Sequence, residues 1–421
     1  MANPHADVVI IGAGIAGLAA ARNLAASGLS ITLLEARDRV GGRVFTMRDP
    51  SAGLPIELGA EFVHGRPPEL LGLIREAGLT LYEREGKFVF YENGEFDDGG
   101  IFGDAFAVLD DLPAEPDMTF TEFLAQKHLP EHVAARITGY VEGFNAANAA
   151  RIGTAALRRQ QQAEEEIEGD RTSFRIVEGY ARLAEFLRDR FLDSGGQLHL
   201  NAPATAVRWT PGQVQITTAN PALPAIDAAR AIIAVPLGVM QREAISIYPA
   251  PPALLAAIHK LAMGSATRIT LVFRERFWEA ASPDLSFLIA LNQTPPTWWT
   301  AAPNSSPTLT GWIAGPRAVR APTGAAMRDQ AIATLSAIFR RKDLDSLLIG
   351  FHTHNWQSDP FSLGAYSYAP AHALDASDQL ATPVENTLYF VGEHTDTTGH
   401  WGTVHAALRS GLRAAAQILA A

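Results

Sequence analysis

Hydrophobic positions open the chain in a short, dense run. Asp7-Val8-Val9-Ile10-Ile11 is apolar and rich in β-branched residues, the pattern of a strand buried on both faces of a parallel sheet. It leads straight into Gly12-Ala13-Gly14-Ile15-Ala16-Gly17. An Ala- and Leu-rich helix is predicted from about Ile15 through Ala26, stopped by Gly28, and a second apolar run, Ser30-Ile31-Thr32-Leu33-Leu34, ends at Glu35. From about Pro67 to Arg190 the period becomes largely helical, with helices predicted over 68–77, 119–126, 131–142, 155–168 and 180–193. Residues 82–96 alternate as a hairpin about Asn93-Gly94, and the acidic stretch 163–170 reads as a solvated helix face. Further strands are predicted at 197–207, 214–217 and 231–236, the last ended by Pro236. Residues 267–273 alternate, and 287–291 and 308–313 can join them in a second sheet. Residues 323–341 read as helix, and 292–307, rich in Pro, Thr and Trp, as a loop. A terminal strand over 386–393 precedes a closing helix over 404–419, with Thr403 as its cap. There is no internal repeat and no low-complexity tail.

The glycines of the first turn each answer a physical need. Gly12 permits the tight exit from the strand, Gly14 lets backbone approach a pyrophosphate, and Gly17 lets helix and sheet pack closely. The helix start, at Ile15 and Ala16, presents free N–H groups and the positive dipole end to phosphate. Glu35, at the end of the second strand, can accept from an adenosine ribose. Strand, helix, strand and acid stand in register, so a dinucleotide site is expected. Ala36-Arg37-Asp38-Arg39-Val40-Gly41-Gly42-Arg43 adds a second glycine-rich turn and a guanidinium for the same pyrophosphate. In Gly59-Ala60-Glu61-Phe62-Val63-His64-Gly65 the small residues point to backbone lying close to a ligand.

The run "LLEARDRVGGRVFT" resembles the flavin-containing amine oxidase family, and so do Gly59-Ala60-Glu61, Tyr366 with its neighbours, and the terminal "LYFVGEHTDTTGHWGTVHAALRSGLRAA". The motif "GTVHxAxxSG" is nearer the polyamine oxidase branch than the monoamine one. The resemblance implies an α/β fold in which a Rossmann-like FAD-binding domain (GR2-type) is interleaved with an α+β substrate-binding domain of mixed sheet and helices. The expected FAD segments are 1–75, 190–240 and 355–421; the expected substrate segments are 76–189 and 241–354. Residues implied to contact FAD are Gly12, Gly14, Ile15, Ala16, Gly17, Glu35, Ala36, Arg37, Gly42, Arg43, Gly59, Ala60, Glu61, Phe62, Val207, Trp356, Gly392, Glu393, Gly402, Thr403, Val404 and Ala407. Residues implied near the substrate are Tyr366, Glu61, His64, Thr403, Trp401 and Arg268. Tyr366 matches the family aromatic beside the flavin. Thr403 stands where monoamine oxidases carry a second aromatic, and Trp401 is a candidate replacement. Glu61 is a candidate for meeting a cationic substrate or for hydrogen bonding at the flavin edge. Arg268 stands where the family usually has a lysine that holds a water near the flavin. Arginine is larger and stays charged, which suits a carboxylate-bearing substrate as well as a bound water.

Composition narrows this further. There are no cysteines, and Ala365 stands where covalent members carry one, so FAD is expected to be non-covalent. A net charge of −11 argues against general nucleic-acid binding. Met1 to Asp7 shows no signal-peptide pattern and no long uncharged apolar stretch occurs, so a cytoplasmic protein that neither spans nor binds a membrane is expected. His352 and His354 alternate onto one strand face with no third ligand evident nearby, so no metal is expected. The first expectation for activity is oxidation of an amine, with oxygen reoxidising the flavin to give hydrogen peroxide. The alternatives are oxidation of an amino acid or non-amine, and a partner-binding protein with structural FAD. The sequence does not assign an oligomeric state.

Overall fold

The computed structural model describes residues 5–97, 107–169 and 172–421. Strand β1 (His5–Ile11) lies at the centre of an eight-stranded sheet, parallel to β2 (Ile31–Leu34) on one side and to Ile226–Ile233 on the other. Its alternation splits two cores. Val8 and Ile10 face the cluster formed with helix α1 (Ile15–Ala26), Ala181–Asp193 and Val404–Ala420, while Val9 and Ile11 face the opposite cluster with Val207, Ile216 and Ile233. The sheet continues from Ile226–Ile233 through Gln213–Thr218 and Ala204–Thr210 to Ser246–Tyr248, and Gln197–His199 lies at the other edge beside β2. Leu388–Phe390, from the far end of the chain, pairs in parallel with Ile226–Ile233. Parallel strands covered on both faces need continuous apolar runs, as β1 supplies.

A second, seven-stranded sheet holds Ala266–Phe273, buried at every position, between Leu348–His352 and Thr308–Ala314. It runs on through Thr297–Thr300, Leu285–Ile289, Lys87–Glu92 and Glu95–Asp97, with one parallel pair, Leu285–Ile289 beside Lys87–Glu92. Gly324–Phe339 packs its apolar face against this sheet. A small sheet of Val63–His64, Ser173–Ile176 and Leu81–Glu83 joins the two regions.

Three expectations need correction. The 292–307 loop contains the strand Thr297–Thr300, paired on both sides, because the fully buried Trp298 anchors it between flanking prolines. The strand expected over 197–207 is two: Asn201 turns left-handed (φ 52°), Pro203 follows, and the halves reach opposite sides of the sheet. Boundaries at 190 and 240 cut through the first region, since Ala181–Asp193 buries Leu183, Leu187 and Phe191 against α1's core and Ser246–Tyr248 pairs with Ala204–Thr210. The helix within the acidic stretch ends at Glu165, and Asp170 lies outside the described residues.

The turn between β1 and α1 is tightly packed. A Cβ on Gly17 would stand 2.0 Å from the Gly12 carbonyl oxygen, whereas one on Gly72, inside Pro68–Glu76, would meet nothing within 4 Å. Gly17→Ala is therefore expected to cost about 3 kcal/mol or more, while Gly72→Ala is neutral or stabilising by about 1 kcal/mol. Thermal unfolding of the two variants checks this; equal melting temperatures would remove the close approach from the account.

Candidate active site

The glycine turns form one lip of a slot. Gly12 takes φ 104°, with a hypothetical Cβ 2.6 Å from the Ala234 carbonyl, while Gly14 opens onto free space. No side chain caps α1, which leaves the N–H groups of its first turn, at Ile15, Ala16 and Gly17, available to an anion. Buried Glu35 accepts from the backbone N–H of Ala13 at 2.8 Å and of Arg37 at 2.9 Å, with Ala36 between Glu35 and Arg37 in the chain. Gly41 donates to the Ala13 carbonyl at 2.8 Å, and Gly42 lies beside Gly14, so the second turn stacks on the first.

The opposite lip comes from the end of the chain. Gly392 (φ 138°) donates to Ser410 Oγ at 2.9 Å and sends the Glu393 side chain inward. One Glu393 oxygen accepts from Arg43 Nη1 at 2.9 Å and from the Ser367 N–H at 3.2 Å. The other accepts from Ser367 Oγ at 2.7 Å and from the Gly402 N–H at 3.0 Å. Burial pushes this carboxyl up, but Arg43, His394 and Ser367 overcome it and hold it below the usual range. Arg43 also donates to the Ala365 carbonyl at 2.7 Å. Four stretches of chain thus meet at one carboxylate.

Around this junction small residues keep some accessible surface beside buried neighbours: Gly59, Ala60, Gly402, Thr403, Val404 and Ala407. Tyr366 packs on Gly402, where a Cβ would come within 2.7 Å of its ring, and its hydroxyl donates to the Phe144 carbonyl at 2.6 Å. Thr403 Oγ1 accepts from the Ala406 N–H at 3.1 Å, so Thr403 caps the closing helix at the slot. The open face at Gly14, the uncapped helix start and the small-residue lining fit an extended dinucleotide with a ring at the Tyr366 end. The group would be held without a covalent link, since Ala365 offers no nucleophile.

Several expected roles change. Arg43 spends one guanidinium nitrogen on Glu393 and Ala365, and Arg37 gives its Nη2 to Asp359 at 2.5 Å and Ser362 at 3.1 Å, so both arginines brace the slot. Gly59 is small because a Cβ would lie 1.8 Å from the Arg43 carbonyl; a backbone neighbour, not a ligand, dictates it. Trp356 lies buried beneath it, donating to the Leu58 carbonyl at 2.8 Å. Val207 is fully buried in a strand paired with Ile216 and Ile247, which makes it core. Trp401 does not stand in as a second cage aromatic: its indole N–H is held by Ser377 Oγ and the Asp396 carbonyl, both at 3.0 Å, and the ring packs on the sheet core. Thr403 cannot replace an aromatic either, its hydroxyl being committed to the helix cap.

The largest departure is at Glu61. Its carboxylate is not free for a cationic substrate: it accepts from Arg175 Nε and Arg268 Nη2, both at 2.7 Å, and from Trp299 Nε1 at 3.1 Å. Burial pushes it up, yet the two guanidiniums hold it below the usual range. Arg268, 4% exposed, is also tied to the Gly59 carbonyl at 2.9 Å. Phe62 packs edge-on to Trp299, under Arg175. His64 packs near Phe62 and Phe144, and burial with the nearby Arg84 pushes it down to about 4, so it is neutral at physiological pH. The sequence reading missed Arg175, Trp299, Ser367 and Glu57. Arg175 and Glu57 carry a detectable signal, a charge inside an apolar run, at Phe174-Arg175-Ile176 and Ile56-Glu57-Leu58. His352 pairs with Asp49 and His354 with Asp359, and no group of three potential ligands occurs among the described residues.

The model of the Flavin containing amine oxidoreductase family matches residues 15–177 and 143–419. The chain belongs to this family. Within it the chain lies nearer the polyamine oxidases: Polyamine oxidase 4 of Oryza sativa subsp. japonica is 30% identical, over 97% of this chain and 88% of that one. Lysine-specific histone demethylase 2 of Homo sapiens is 27% identical over 98% of this chain but only 53% of its own length. Cyclohexylamine oxidase from Brevibacterium oxydans IH-35A has the same fold, with a TM-score of 0.83 at 21% identity over 99% of both chains. As in this flavin amine oxidoreductase family generally, the cofactor is FAD and the chain is an enzyme acting on amines. No helix among the described residues is long and apolar enough to cross a membrane.

Two expectations follow for this oxidoreductase. Glu393→Gln removes a buried charge and strands Arg43, which should cost about 3–5 kcal/mol and lower the bound FAD per chain; absorbance and melting curves measure both. Glu57, which accepts from Thr46 Oγ1 at 2.6 Å and the Tyr180 N–H at 2.7 Å, is raised by burial from 4.5 to about 7. The folded state therefore holds its proton more tightly than the unfolded chain. Its stabilisation is complete below about pH 4.5 and is lost as pH rises through about 7. Glu57→Gln should flatten that part of the stability-versus-pH curve, and an unchanged slope in urea titrations would contradict the assignment.

Proposed function

We propose that this flavin amine oxidoreductase oxidises an amine to an imine that hydrolyses to an aldehyde, with oxygen as electron acceptor and hydrogen peroxide as the second product. The observation that carries this reading is the Glu393 junction. Through Ser367 and Gly402 it fixes Tyr366 beside the slot whose other lip is the pair of glycine turns. Bound FAD supplies a hydride acceptor for the substrate's α-carbon and a route from there to oxygen.

The chain's own residues then do three things. Tyr366 is locked by its bond to the Phe144 carbonyl, and burial pushes its phenol well above the ordinary range, so it is a neutral wall that aligns the amine. The helix Val404–Ala420 begins at the slot, and its positive end favours negative charge gathering there. Buried Ala365, packed with Tyr366, restricts water beside that ring. The rival reading, an amino-acid substrate held by Arg268, is less favoured: Nη1 and Nη2 of this buried side chain are bonded to the Gly59 carbonyl and Glu61. Purified yellow protein mixed with an amine panel without oxygen should lose its visible flavin absorbance, then regain it with peroxide release when air enters. If no amine bleaches the flavin, the reading is abandoned.

A further inference from the structure

The aromatic rings around Glu61 form a connected wall. Phe62 contacts Phe287 and Trp299, with ring centres 6.1 and 5.7 Å apart, and Phe88 stacks on Phe287 at 4.8 Å. On the other side Phe62 leads through His64 to Phe144, 5.9 and 5.8 Å apart in turn, and Phe144 stacks on Tyr140 and accepts the Tyr366 hydroxyl at its carbonyl. Phe88 and Phe144 are 45% and 37% exposed, so the wall runs from solvent to Tyr366.

Such a wall ordinarily attracts organic cations through its ring faces. Here guanidiniums already occupy them. Arg175 sits over Phe62 at 4.7 Å, Arg84 over Phe88 and Phe287 at 4.8 and 5.0 Å, and Arg268 over Trp299 at 5.6 Å. Glu61, the carboxylate on this wall, is outnumbered by Arg175 and Arg268, and both of its oxygens are engaged. Glu164, beside Tyr140, is engaged by Gln160 at 2.9 Å. His64 is neutral. Arg84 has Glu83 as its counter-charge, and the Gln160 amide on Glu164 carries none, so the surplus positive charge of this wall is confined to the Arg175–Arg268–Glu61 cluster, where it disfavours an ammonium group.

Resting on the amine-oxidase reading above, we propose that Arg175 and Arg268, by neutralising Glu61, act as a filter against polycations, and that the substrate is a monoamine carried on an apolar body. Arg175 is the specificity-determining residue that sets this chain apart from an enzyme whose wall carboxylate is free to pair with a distal ammonium. The amine group itself reaches Tyr366 uncharged, since no unpaired carboxylate among the described wall residues waits to hold it as a cation.

The test measures anaerobic flavin reduction by the FAD-loaded enzyme with benzylamine and 2-phenylethylamine against putrescine, spermidine and spermine. The limiting rate divided by the dissociation constant should favour the best monoamine by about 100-fold, the factor expected for one uncompensated like-charge contact several ångströms long in a partly buried site. Any polyamine within tenfold of the best monoamine overturns the inference while leaving amine oxidation intact. If no amine in either set reduces the flavin, amine oxidation falls first and the filter with it. Arg175→Met, checked for bound FAD, should raise the polyamine-to-monoamine ratio at least tenfold by releasing one side of Glu61. An FAD-loaded variant with an unchanged ratio removes Arg175 from the role.

Discussion

A single buried carboxylate holds the catalytic half of this protein together. Glu393 is 4% exposed, and taking a charge that far out of water costs several kcal/mol unless it is paired and fully hydrogen-bonded. The compensation comes from a guanidinium, a hydroxyl and two backbone N–H groups, and these donors belong to parts of the chain far apart in sequence. Arg43 lies 350 residues away. Because the donors must converge to offset the desolvation, the charge specifies position as well as contributing energy. Loss of any one leaves the others facing an unsatisfied ion, so the second glycine turn, the Tyr366 wall and the cap of the closing helix stand or fall as a unit.

The second charged cluster works in the opposite sense. At Glu393 one cation meets one anion, and the result is a neutral joint. At Glu61 two cations meet one anion, and the surplus is positive charge set into an aromatic surface. Arginine at position 268 makes this possible. A planar guanidinium can serve the Glu61 carboxylate and the Gly59 carbonyl from two different nitrogens, which a single ammonium does less well. Arg268 is therefore part of a wall that includes Arg175 and Trp299.

Much of the fold was legible in the sequence because local pattern and tertiary environment agree there. Val8 to Ile11 read as a doubly buried strand and is one; Gly17 read as a packing glycine and has no room for a methyl group. The reading failed where a residue's role depends on a distant partner. Nothing in Gly59-Ala60-Glu61 reveals that Arg43's carbonyl crowds Gly59, or that Arg175 and Arg268 claim Glu61. Trp298 was masked by its proline neighbours, since loop composition at the flanks outweighed a four-residue strand. Trp401 misled for a related reason: position in the motif placed it near the ring site, but its N–H needed a partner and found Ser377 in the core.

The placement of Leu388–Phe390 beside Ile226–Ile233, itself beside β1, has a consequence for biogenesis. The first forty-three residues carry most of a nucleotide-binding turn, yet the strand and helix that close the slot leave the ribosome long after them. At roughly 5–20 residues per second, tens of seconds separate the two. Strand β1 gains both of its partners once Ile226–Ile233 is made, but Ile226–Ile233 waits for Leu388–Phe390 until the far segment emerges. A complete slot for the flavin therefore exists only after Leu388–Phe390 and Val404–Ala420 have been made.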